Sequence, residues 1–116
     1  LDCLSEYIYC FGDESFRKNL EIGYNFYTNN FFEKNGIPKF YDKEKFPIDA
    51  TAAAQSLLTL SRFNNFDLAN RVASWTIENM QDKEGYFYYQ KNRLYKNKKF
   101  FQSWIQKNIR RQHCFV

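Results

Sequence analysis

With 116 residues, the chain has room for one domain at most and for a modest core. Its net charge of +4 sets 17 basic against 13 acidic side chains. They are spread out rather than massed, which argues against a nucleic-acid surface even at the densest run, Lys91 to Lys99. No apolar stretch approaches the ~20 residues of a membrane span, so no membrane partner is expected. The chain opens at Leu1 with neither Met nor a leader pattern, so a cytoplasmic piece of something longer is the expectation.

Hydrophobic residues make up 44% of the chain, an ordinary share, but aromatics make up 21%: thirteen Phe, nine Tyr and two Trp. Rings bury large areas per side chain, so most of them belong to a core. A flat platform for a carbohydrate or a nucleobase is the sharper reading. The cysteines Cys3, Cys10 and Cys114 and the lone His113 lack zinc-site spacing and give no disulfide framework. Free, mostly buried thiols are expected, with no metal and no cofactor.

In chain order, Leu4, Tyr7, Ile8 and Phe11 repeat at helical spacing, so residues 2–11 form a short amphipathic helix that stops at Gly12. Asp13 caps a second helix reaching about Phe32. Its apolar positions Phe16, Leu20, Tyr24, Tyr27 and Phe31, with Ile22 and Phe26 beside them, span so wide an arc that packing on more than one side is expected. Asn35-Gly36 breaks it. The segment from Ile37 to Ile48, with Pro38 and Pro47, reads as an extended loop with a short strand around Lys39 to Tyr41. Asp49 caps a third helix, Ala50 to about Phe63, and Asp67 caps a fourth through about Met80. Asn64-Asn65 joins them so tightly that residues 49–81 form an antiparallel αα-hairpin. Beyond Gln81, Gly85 to Tyr89 is rich in strand formers and is expected to pair with Arg93 to Tyr95 across Lys91-Asn92. A final helix is expected from about Phe100 to Arg111. The fold class is therefore all-α: antiparallel helical hairpins with short aromatic β-hairpin loops, in a single domain over residues 1–116.

Three stretches carry a resemblance. Pro47-Ile48-Asp49-Ala50-Thr51-Ala52-Ala53-Ala54-Gln55-Ser56-Leu57, followed by Ala73 to Gln81 and Gly85-Tyr86-Phe87-Tyr88-Tyr89-Gln90, is similar to the C-terminal part of a bacterial family. Those proteins belong with the six-hairpin glycosidase-like proteins and often sit with surface-polysaccharide genes. The likeness covers about residues 10–100 and implies part of an α/α toroid. It departs at Phe100-Phe101-Gln102-Ser103-Trp104-Ile105-Gln106, where the family continues with a different aromatic helix. Some members carry the label delta-aminolevulinic acid dehydratase, a chemistry of TIM barrels with Schiff-base lysines that a short helical chain does not provide. Gln81 to Phe87 also resembles the Gln-x-x-x-Gly-x-aromatic repeat of terpene cyclases and prenyltransferases, where the motif ties a helix end to the next turn.

Glycosidic chemistry needs two carboxyls facing one sugar. The candidates at loop mouths are Asp13, Glu14 and Asp49, the last at the head of an Ala-rich helix of the kind that lines a toroid, and Glu78 is a catalytic candidate mid-helix beside Trp75. Against them stand a helix cap for Asp49, as for Asp13 and Asp67, and a solvated face for Glu78. Gln55 is a candidate for binding sugar hydroxyls, as is Gln81; either could instead satisfy loop backbone. Trp75, Tyr86 and Tyr88 are candidates for stacking, with Trp104, and Tyr86 and Tyr88 share one face of their strand. His113 beside Cys114 lacks the orienting partner of a nucleophile pair. Two functions are expected in competition: part of a carbohydrate-active or carbohydrate-binding toroid, or a structural module with an exposed face for self-association. A pocket lined by Asp49, Trp75 and Tyr86 favours the first; the same side chains in a dry core favour the second.

Overall fold

The computed structural model describes residues 1–91. They are mostly helical, with a small two-stranded sheet. The expected final helix, the strand at Arg93 to Tyr95, Trp104, His113 and Cys114 lie outside the described residues. No helix among the described residues is long and apolar enough to cross a membrane.

Helix α1 spans Asp2–Phe11 and ends as expected, with Gly12 at φ 64 and its N–H bonded to the Ile8 carbonyl. Asp13 then accepts from the Ser15 N–H at 3.0 Å and opens a single 3₁₀ turn, Glu14–Phe16. That turn runs into α2, Arg17–Asn30. The connection that follows is pinned by Gly36 at φ 81: a Cβ there would lie 2.6 Å from Arg71 Cβ, so a side chain would push the turn off its neighbour. A two-residue strand, β1 (Ile48–Asp49), leads into α3 (Ala50–Arg62), and α4 covers Phe66–Met80. Strand β2, Gln90–Lys91, pairs antiparallel with β1, Ile48 opposite Lys91 and Asp49 opposite Gln90.

The α3–α4 hairpin is antiparallel, as its two core clusters show. Near the link, Leu60 packs with Leu68, Ala69 and Val72, covered by Tyr24, Phe32 and Leu57. At the far end, Ile48 before α3 meets Met80 at the end of α4, with Ile37, Phe46, Ala50 and Trp75 around them. Helix α2 joins through Tyr24, whose ring stacks on Phe63 at 4.1 Å between centroids.

Several local expectations are corrected. Asn64 adopts a left-handed φ of 57, which lets Asn65 rather than Asp67 cap α4 by accepting from Leu68 N–H. Strand-like pairing in the first loop falls at Pro38, bridged to Phe32, and not at Lys39 to Tyr41; Phe40 and Tyr41 are exposed. In the second loop Phe87 bridges back to Gln81, and Lys91 lies in a strand paired with β1 rather than in a turn. Cys3 and Cys10 are free but exposed, not buried. Only Leu20 is fully buried on α2, while Ile22 and Phe26 are more than half exposed.

Candidate functional site

The far end of the hairpin gathers most of the expected site residues. Residues 81–91 wrap back over it. Tyr88 N–H donates to Met80 O at 2.8 Å, and Ala50 N–H donates to Tyr89 O at 3.0 Å. The Gln81 side chain donates to Gly85 O at 3.0 Å, so it ties the end of α4 to the next turn, as the sequence motif implies.

Asp49 sits here at 2% exposure. One oxygen, Oδ1, accepts from the N–H groups of Thr51 at 2.8 Å and Ala52 at 3.2 Å, and from the Thr51 hydroxyl. That is a helix cap, and it commits the carboxylate to backbone donors. Trp75 is half-buried against Ile48 and Met80, and Lys91 Nζ lies 5.5 Å from its ring centroid. Tyr86 and Tyr88 are half-buried and meet edge to face at 5.9 Å; Tyr88 donates its hydroxyl to Asp82 at 2.6 Å. Glu78 is exposed on the last turn of α4. Asp49 is buried in its cap while Glu78 faces solvent, so these two carboxyls do not form an enclosed acid pair around a sugar.

Gln55 lies elsewhere, on the α3 face beneath α1. Its amide donates to Asp2 Oδ2 at 2.7 Å, and the Thr59 hydroxyl reaches the same oxygen at 2.7 Å. Arg62 completes the row: its Nε is 3.4 Å from Asp2 Oδ1, and its Nη1 donates to Glu6. Gln55, Thr59 and Arg62 are spaced four and three apart, which aligns them on one helix face. Thr59 also approaches the Gln55 carbonyl at 3.1 Å; its single proton is better spent on the charged acceptor. The bidentate reach of Arg62 is split between two acids. Its hydrogen bond to Glu6 holds the Glu6 carboxyl below its usual range, and Glu6 in turn raises the guanidinium.

Sequence reasoning singled out Gln55 but missed its neighbours Thr59 and Arg62 on the same helix face and Asp2, which joins them across more than fifty positions. The one local signal is the i, i+4, i+7 run of polar donors on a helix whose other face is apolar. Beside this row a groove of about 450 Å³ opens between α1 and Arg62, with Cys3, Tyr7, Cys10 and Phe11 along its wall. Among the described residues no group of three or more His, Cys, Asp or Glu gathers as a metal site would require.

No protein-family model, no curated protein and no solved structure matches this chain.

Proposed function

We propose that the chain is a helical-hairpin layer of a larger α/α toroid, packing its outer faces against further hairpins. The carrying observation is the exposure of large apolar side chains on helix surfaces. Leu58 on α3 is 66% exposed, Ile77 and Phe66 on α4 are more than half exposed, and so are Ile22 and Phe26 on α2. Patches of this kind mark interaction surfaces. Layered helical proteins leave such faces wherever a neighbouring layer is missing, because each unit cannot bury its apolar surfaces alone.

Within that assembly the chain contributes a carbohydrate-facing surface at the aromatic end of the hairpin, around Trp75, Tyr86 and Tyr88. This part of the reading is supported by the sequence resemblance and by the edge-to-face pair of Tyr86 and Tyr88 in the loop that follows α4. It involves binding rather than catalysis, because Asp49 is committed to its cap.

Two measurements separate the parts. In sedimentation velocity the chain should self-associate at micromolar concentration, and Leu58→Glu with Ile77→Glu should return it to monomer. Surface changes of this type move stability by only about 0.5 kcal/mol, so the unfolding midpoint should hardly change. A monomer at all concentrations sinks the packing reading. On an oligosaccharide array, binding that falls with Tyr86→Ala supports the sugar-facing surface; no binding leaves the second function, a structural module.

A further inference from the structure

We propose that the row Gln55, Thr59 and Arg62 on α3 is a carboxylate-binding site that Asp2 of α1 fills from within the chain, so that free carboxylates and α1 compete for it. Three donors of different kinds converge on one carboxylate: an amide and a hydroxyl at 2.7 Å on Oδ2, and a guanidinium 3.4 Å from Oδ1. An acceptor-only anion with two adjacent oxygens is the group such a set selects. Thr59 is 4% exposed, so its hydroxyl is held in place by its surroundings rather than sweeping through solvent.

The internal ligand fits imperfectly. While Oδ2 takes two hydrogen bonds, Oδ1 is buried and accepts none, facing Arg62 only as an ion pair. A carboxylate free of the helix backbone could meet two guanidinium nitrogens at once, the stronger arrangement. Access exists as well: the groove beside α1 is lined by Asp2, Glu6 and Arg62, and the Arg62 side chain is 41% exposed. The retaining helix is lightly anchored, with Ile8 its one fully buried residue. Lifting the first turn of α1 therefore vacates the row without opening the hairpin core.

The test is an NMR titration of the whole chain, at constant ionic strength, with sodium acetate, sodium glucuronate and glucose. The Gln55 side-chain amide and Arg62 Nε–H report. Asp2 competes at an effective concentration on the order of millimolar, so for an acetate Kd of similar size its removal by Asp2→Ala should tighten binding about 2-fold. Adding Arg62→Ala should abolish the saturable shifts, and glucose should cause none. The milder Asp2→Asn, which keeps the shape and loses the charge, should give an intermediate gain. The proposal is overturned if Asp2→Ala, with its hairpin signals unchanged, shows no saturable acetate shift, or if loss of Arg62 makes no difference. Loss of the hairpin signals in both Asp2 variants overturns it too, since Asp2 would then be a structural support rather than an exchangeable ligand. Glucuronate binding more tightly than acetate would place the carboxylate on a sugar; equal binding supports the site without the sugar. The proposal does not depend on the toroid reading, whose failure would show in sedimentation instead.

Discussion

Helices α1 and α3 are both short and amphipathic, yet they are held by opposite means. Helix α3 is joined to α4 by buried aliphatic contacts, with Leu60 and Val72 fully buried between them and a buried carboxylate capping the start. Helix α1 meets α3 through polar side chains, Asp2 and Glu6 against Gln55, Thr59 and Arg62, and otherwise packs lightly on α2 and the 3₁₀ turn, with Ile8 its one buried residue. Apolar burial is non-directional and survives salt and pH. A half-exposed ionic clamp depends on both. The hairpin is thus built as a unit, and α1 as an attachment whose hold responds to solution conditions.

The sharpest way to break this comparison is to strike the hairpin. Leu60→Ala removes a side chain with no exposure from the centre of its cluster and should cost about 2–5 kcal/mol, read as a fall in the urea midpoint shared by every helix. If α1 alone lost protection, the hairpin would not be the organising unit. Next in size is Asp49→Ala, which strips the cap from α3 and leaves two backbone donors without their acceptor. A loss of about 1–2 kcal/mol is expected, with Asp49→Asn retaining most of it because an amide oxygen also caps. If Asp49→Asn instead abolished oligosaccharide binding at unchanged stability, the carboxylate would have a role beyond the cap.

The two regions also differed in how well they could be read from sequence. Hairpin formation is local information: Asp49 precedes an Ala-rich run, apolar residues recur at helical spacing, and the asparagine link allows only a tight reversal. The link misled by one detail, since a left-handed Asn64 transfers the cap from Asp67 to Asn65 and starts α4 at Phe66. The sheet was misread because β1 pairs with a segment some forty positions away, which local strand propensity does not encode. The Asp2–Gln55 contact was unreadable for the same reason. Asp2 looks like a first-turn acid favoured by the helix dipole, and nothing nearby announces that α3 will present donors to it. Gln55 was noticed for its chemistry, but its partner Asp2 was not.

Striking the clamp should have a smaller and more local effect. Arg62→Ala removes an ion pair that is partly exposed and screened by solvent, so overall stability should hardly change. Its effect should appear in hydrogen exchange: the amides of Asp2–Phe11 lose protection while those of Ala53 to Leu60 keep theirs. Raising salt should imitate the substitution, because the Arg62–Glu6 contact is open to screening ions. If exchange instead rose equally in both helices, α1 and the hairpin would form one cooperative unit and the comparison would fail.

At the extremes of pH, two arms part the regions by sign. Arg62 depresses the Glu6 carboxyl, so Glu6 favours the folded state above its unfolded value of 4.5, and that contribution is lost as pH falls through its lower folded value. Acid should therefore release α1 first, and Glu6→Gln should flatten that arm. Tyr27, on the α2 face against Ser56, is shifted the other way: burial pushes its phenol up to about 12 from 10.0, helped by the nearby charge of Asp2. A raised phenol stabilises the fold fully below pH 10 and ceases to as pH climbs from 10 towards 12. Alkali should therefore loosen α2 from α3, and Tyr27→Phe should remove that arm while leaving the acid arm intact. A single substitution that flattened both arms would mean that α1 and α2 leave the hairpin together. The clamp on α1 would then be part of one outer layer rather than an attachment of its own.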